Sequence, residues 1–120
     1  MINILLLSLS MFMIQSKEYR CRATWYDTSK HKKVYRKHST AAVSRDLIKD
    51  LNLKVGKLNN GNIVNGSSLI VTNITNRKID IVEITDVSNG GSRHIDLSLT
   101  SFEKISKKNV GTIKVIVKKI

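Results

Sequence analysis

Apolar residues along this chain fall into short runs broken by polar turns, and no long helical stripe appears. Residues 20–26 (RCRATWY), 69–72 (LIVT), 79–85 (IDIVEIT) and 112–118 (TIKVIVK) are rich in Val, Ile, Thr and aromatics, the make-up of β-strands. In the last run Ile113, Val115 and Val117 share one face, because successive strand side chains point to opposite sides. Asn59-Asn60-Gly61, Asn65-Gly66 and Asn89-Gly90-Gly91 supply turns between the runs. Two segments follow the helical period instead. Residues 44–53 place Leu47, Ile48 and Leu51 together, and residues 99–106 begin with Thr100 and Glu103 at capping-box spacing. Four or more short strands with two small helices predict a mostly β domain, a small barrel.

Residues 2–14 (INILLLSLSMFMI) are uncharged and nearly all apolar, and Gln15, Ser16, Lys17 and Glu18 come directly after. This reads as a secretory signal over residues 1–16, too short for a bilayer span, which takes roughly 20 residues. The expectation is an exported chain whose mature domain covers residues 17–120, found outside the cell or in the wall or periplasm, with no membrane span after signal removal. Cys21 is the single thiol, so no intramolecular disulfide forms and the core alone must hold the fold. It is expected as a small buried hydrophobe in the first strand.

Composition narrows the partners. The 120 residues carry 21 Lys+Arg against 9 Asp+Glu, a formal charge of +12, which attracts polyanions. Residues 30–37 (KHKKVYRK) hold five basic residues in eight without apolar periodicity, the signature of an exposed loop. Lys30, Lys32, Lys33, Arg36 and Lys37, with Lys118 and Lys119, would hold the protein on an anionic wall by attraction that salt screens over about 8–10 Å. Aromatics make up only 5%, which argues against a platform of stacked bases and hence against nucleic acid as the partner. His94, beside Arg93, is expected to be exposed. Three His and one Cys show no zinc spacing, so neither a metal nor another cofactor is expected. Asn65 and Asn73 fit the N-glycosylation pattern.

Three segments in fixed order carry a family resemblance. They are Ala23-Thr24-Trp25-Tyr26; Thr40-Ala41-Ala42-Val43-Ser44 with Asp46-Leu47; and a long block from Gly66. The block includes Val71-Thr72-Asn73, Ile84-Thr85-Asp86, Gly90-Gly91, Ile95-Asp96-Leu97-Ser98, Ser101-Phe102 and Gly111-Thr112-Ile113-Lys114-Val115. The order resembles the six-stranded double-psi β-barrel shared by rare lipoprotein A, the first domain of expansins, barwin and the family 45 endoglucanases. That resemblance implies a single six-stranded double-psi β-barrel with one or two short helices and an open groove directed at cell-wall polysaccharide: peptidoglycan, cellulose or chitin. A monomer is expected.

By the same resemblance, Thr24, Asp86 and Asp96 match the groove positions of bacterial expansins, while Ser88 stands where those proteins carry a tyrosine. Lys33 and Val43 occupy the places of the Glu and His of the rare lipoprotein A group. The first reading is therefore a secreted, expansin-like, non-hydrolytic wall-binding and wall-loosening protein with Asp86 central, Thr24 and Asp96 supporting, and Trp25 and Tyr26 as candidate sugar contacts. The second is a glycan-cleaving enzyme of the same fold: a lytic transglycosylase using Asp86, or a hydrolase pairing Asp86 with Asp27 as acid and base across the 6.5–9.5 Å of an inverting site. Loss of the Glu and His positions favours the non-enzymatic reading. A basic nucleic-acid-binding protein is the distant third.

Overall fold

The computed structural model describes residues 17–27 and 38–120. The expected signal segment and the basic run at residues 30–37 lie outside them. Among the described residues eight strands and two helices succeed one another: β1 (Glu18–Tyr26), β2 (Thr40–Val43), α1 (Arg45–Asp50), β3 (Lys57–Asn59), β4 (Asn62–Val64), β5 (Ser68–Asn73), β6 (Ile79–Val87), β7 (His94–Ser98), α2 (Leu99–Ile105) and β8 (Ile113–Lys119). A short 3₁₀ turn, Lys108–Val110, precedes β8.

Six strands close into a barrel in the order β1-β7-β2-β6-β5-β8. Its β1–β7 and β2–β6 contacts are parallel. The β1–β8, β2–β7, β5–β6 and β5–β8 contacts are antiparallel. The four strands expected from sequence are β1, β5, β6 and β8. The sequence pattern assigns no strand to β2 or β7, both of which are largely buried, so neither shows the alternation that marks a half-exposed strand. β3 and β4 form a hairpin beside the barrel, turned by Asn60 and Gly61, both at positive φ, as a two-residue Asn-Gly hairpin requires.

The period of two fills the interior. Cys21 and Ala23 point in from β1, Leu69 and Val71 from β5, Val82 and Ile84 from β6, Ile95 and Leu97 from β7, and Val115 and Val117 from β8. The helices add Leu47 from α1, and Phe102 and Ile105 from α2, all fully buried; each such side chain contributes about 1.5–3 kcal/mol. Cys21 is 5% exposed, the core position expected for it. At the start of α2 the cap is Ser98, whose hydroxyl accepts the N–H of Ser101. Thr100, expected to cap, already lies inside the helix, because β7 runs straight into α2 and brings Ser98 to the junction. Asn73 is 3% exposed and its amide donates to the Ile105 carbonyl at 2.8 Å, so it is no glycan acceptor in the folded chain.

Candidate functional site

One cross-strand row organises the outer face of β6, β2, β7 and β1. Ala42 pairs with Asp86 on one side and with Asp96 on the other, and Asp96 pairs in turn with Thr24. Register partners share a face, so Asp86, Ala42, Asp96 and Thr24 stand in line across four strands. Two inter-strand steps of about 4.8 Å put the two aspartate backbones roughly 10 Å apart, with the small Ala42 as the floor between them.

Asp86 joins this row because of a bulge. β6 sends Val82 and Ile84 into the core, and strict alternation would send Asp86 after them. Between Ala41 and Ala42 the register slips, so that Ala41 faces Ile84 while Ala42 faces Asp86. Thr85 is the extra residue, and it flips the parity of the rest of the strand, a common use of bulges beside binding sites. Asp86 is exposed, and its Oδ1 accepts the N–H of Val87 at 2.7 Å, which fixes the carboxylate against its own backbone.

Tyr26, Asp86, Ser88, Gly90, His94 and Asp96 line a groove of about 590 Å³ over this row. Tyr26 and Trp25 diverge as neighbours on a strand must. The Tyr26 hydroxyl lies 2.6 Å from Thr40 Oγ1 at the groove wall. Trp25 packs against the core and donates its indole N–H to the Lys108 carbonyl at 3.1 Å, beneath the Lys108 ammonium, 5.2 Å from the ring centroid. Asp27 comes next, at the exposed end of β1. The structure thus gathers Thr24, Tyr26, Asp86 and Asp96 at one face and directs Trp25 elsewhere.

His94 corrects an expectation. It is 5% exposed, held under the loop that joins β6 to β7, with Thr24 Oγ1 at 2.7 Å from Nε2 and Ser88 Oγ against Nδ1. Arg93 beside it points the other way, bridging to Asp46 and Asp50 and stacking over Tyr19. Arg93 lies in the turn before β7, at positive φ, while His94 is the first residue of the strand, so the charge of Arg93 says nothing about the exposure of His94. Burial pushes the His94 imidazole below its ordinary pKa; the positive charge of Arg22 adds to this, and Asp96 opposes it. Thr24 completes the cluster by donating to Asp96 Oδ1 at 2.8 Å. Sequence reading missed both His94 and the participation of Ser88; the i, i+2 spacing of His94 and Asp96 on one strand was the available signal. Among the described residues no group of three or more His, Cys, Asp or Glu side chains is placed to hold a metal ion.

No protein-family model matches the chain, and neither does any curated protein. Solved structures do. A mutant expansin of Clavibacter michiganensis in complex with cellohexaose superposes with a TM-score of 0.64 at 19% identity, over 87% of this chain and 50% of that one. The apo form of the same expansin gives 0.64 at 20% identity over the same shares. A Streptomyces papain inhibitor gives 0.61 at 18% identity, over 87% of this chain and 94% of that one. These likenesses and the closed six-stranded barrel define the class: the fold is a double-psi β-barrel. The chain spans half the length of the expansin it resembles.

Proposed function

We propose that the groove over the Asp86-Ala42-Asp96-Thr24 row binds a cell-wall polysaccharide, and that the protein is an exported, expansin-like factor that loosens or remodels the wall without cutting it. The observation that carries this reading is the row itself: two carboxylates flank a small residue along an open groove, with one aromatic, Tyr26, on its wall. Carboxylates that accept paired sugar hydroxyls and a ring for an apolar sugar face are what a glycan chain needs. The cellohexaose-bound expansin of the same fold supports a β-linked glucan as the first ligand to try. Lys118 and Lys119 on β8, and the basic run outside the described residues, would add an electrostatic hold on an anionic wall.

A second reading is an enzyme of the same fold. The roughly 10 Å between the backbones of Asp86 and Asp96 is compatible with the carboxyl spacing of an inverting glycosidase. Asp96 therefore joins Asp27 as a candidate partner of Asp86.

One experiment separates the two. Mature protein and an Asp86→Asn control are incubated with cellulose, chitin and peptidoglycan sacculi, and both soluble fragments and protein depletion are measured. Depletion onto one solid, lost in the control and without products, is the expected result. Products that require Asp86 would establish the enzyme, with 1,6-anhydro ends meaning transglycosylation and reducing ends meaning hydrolysis. Neither binding nor products would refute the glycan reading. Depletion that persists at high NaCl would refute the electrostatic component.

A further inference from the structure

The same groove holds a hydrogen-bonded chain whose proton positions can be deduced. Thr24 Oγ1 lies 2.8 Å from Asp96 Oδ1 and 2.7 Å from His94 Nε2. An ionised carboxylate only accepts, so the single Thr24 proton goes to Asp96, and Thr24 must accept from Nε2–H. A neutral imidazole protonated at Nε2 has its lone pair on Nδ1. The hydroxyl that contacts Nδ1 is that of Ser88, so Ser88 donates to the ring. Ser88 Oγ also accepts the Gly90 N–H at 3.1 Å. Every bond then runs one way, from Gly90 through Ser88, His94 and Thr24 to Asp96.

This order supplies a nucleophile, a base with its free lone pair on the nucleophile, and an acid that orients the base and offsets its charge. Thr24 is interposed between imidazole and carboxylate. Three further observations point to a built site. Ser88 and His94 both line the groove, and with His94 only 5% exposed the half-buried Ser88 is the more accessible of the two to a ligand. A β-carbon on Gly90 would fall 2.3 Å from His94 Nδ1, so only glycine lets the loop close over the ring. Arg22 clamps that loop through the Gly90 carbonyl at 2.5 Å.

We propose that Ser88 is a nucleophile toward acyl esters that enter the groove, with His94 as its general base and Thr24 and Asp96 as positioning residues. Ser88 Oγ attacks the ester carbonyl carbon as its proton passes to His94 Nδ1. The tetrahedral adduct collapses, the carbon–oxygen bond to the alcohol breaks, and the alcohol leaves with the proton from Nδ1. Water then attacks the acyl-Ser88 ester, giving its proton to Nδ1. The carboxylic acid departs and Ser88 recovers its proton. The net reaction is one ester and one water to one alcohol and one acid. The proposed substrate is an ester of a small acyl group, such as an acetyl ester on a sugar hydroxyl; that the alcohol is a glycan rests on the reading above, whereas the nucleophile does not.

The test treats the full protein with a fluorophosphonate and maps adducts by mass spectrometry, beside hydrolysis of p-nitrophenyl acetate. The expected result is one adduct on Ser88, absent in Ser88→Ala and formed at least about 100-fold more slowly in His94→Gln, with the wild-type rate declining in acid as His94 takes up a proton. No adduct on the folded wild type, or equal labelling in His94→Gln, would overturn the proposal. Cellohexaose binding by the same samples keeps the two ideas apart. A protein that binds glycan but resists labelling loses only the nucleophile, and one that is labelled but binds no glycan loses only the polysaccharide.

Discussion

Asp86 and Asp96 flank Ala42 from opposite sides, one across a parallel contact and the other across an antiparallel one, yet their surroundings differ. Asp86 is exposed and accepts a bond from the backbone next to it, whereas Asp96 accepts a hydrogen bond from the Thr24 hydroxyl. Alanine at the two positions should therefore act differently. Asp86→Ala is expected to keep the wild-type melting temperature and lose cellohexaose binding. Asp96→Ala should lose binding and also about 1–3 kcal/mol of stability, because the Thr24 hydroxyl is left without its acceptor. Thermal melts read beside calorimetric titration check both, and equal stability losses would show that the carboxylates are not distinct.

Gly90 is not among the residues at positive φ, so its backbone tolerates alanine and the imidazole is the obstacle. Gly90→Ala is expected to destabilise by about 1–3 kcal/mol through overpacking. Combining it with His94→Ala should return most of that loss, since the second change removes the atoms the new methyl meets. A double-mutant cycle by urea denaturation measures this coupling; additive losses would mean that the loop strains for another reason.

Stability should fall in two stages on acidification. His94 has a folded pKa below the ordinary 6.5, so the unfolded chain binds its proton first, and stability drops as pH falls from about 6.5 toward the folded value. Asp46 is held down at about 2: burial works against ionisation, but bonds from Ser44, Ser92 and the backbone of Arg93 and Leu47 outweigh it. Its contribution is present above about 3.8, the ordinary value, and is lost between there and about 2. Urea titrations across pH 2–8 should show both stages, and His94→Gln should abolish the upper one alone.

The Cys21 thiol is pushed up to about 11, mainly by burial, with the Arg93 charge opposing and Asp46 adding. The folded protein should resist iodoacetamide at pH 8, while protein in urea should react fully. Rapid alkylation without denaturant would place Cys21 outside the core.

The barrel was legible wherever a strand had one wet face. β1, β5, β6 and β8 alternate and punctuate with Asn and Gly, so their periods and turns are visible. β2 is Thr-Ala-Ala-Val with three of its four residues buried, and nothing in four small residues separates strand from coil. Of the site, Thr24, Tyr26, Asp86 and Asp96 are marked out by the order of motifs. The reason Asp86 reaches the groove was not available, because the bulge at Thr85 depends on which residue of a distant strand lies opposite. The burial of His94 is hidden for the same reason. Its environment comes from the Ser88–Gly90 loop folding back over it and from Thr24 on a parallel neighbour, contacts that no local window contains.

The ring of strands is completed by β1 meeting β8, which pairs Glu18 with Lys118, and β8 also flanks β5. A chain made from its N-terminus thus has no closed barrel until β8 is available, and both parallel contacts likewise join segments far apart in sequence. Such a topology pays its loop-closure entropy early and folds slowly, in milliseconds to seconds, so barrel closure waits until β8 has been made and the segments before it lack a closed core until then.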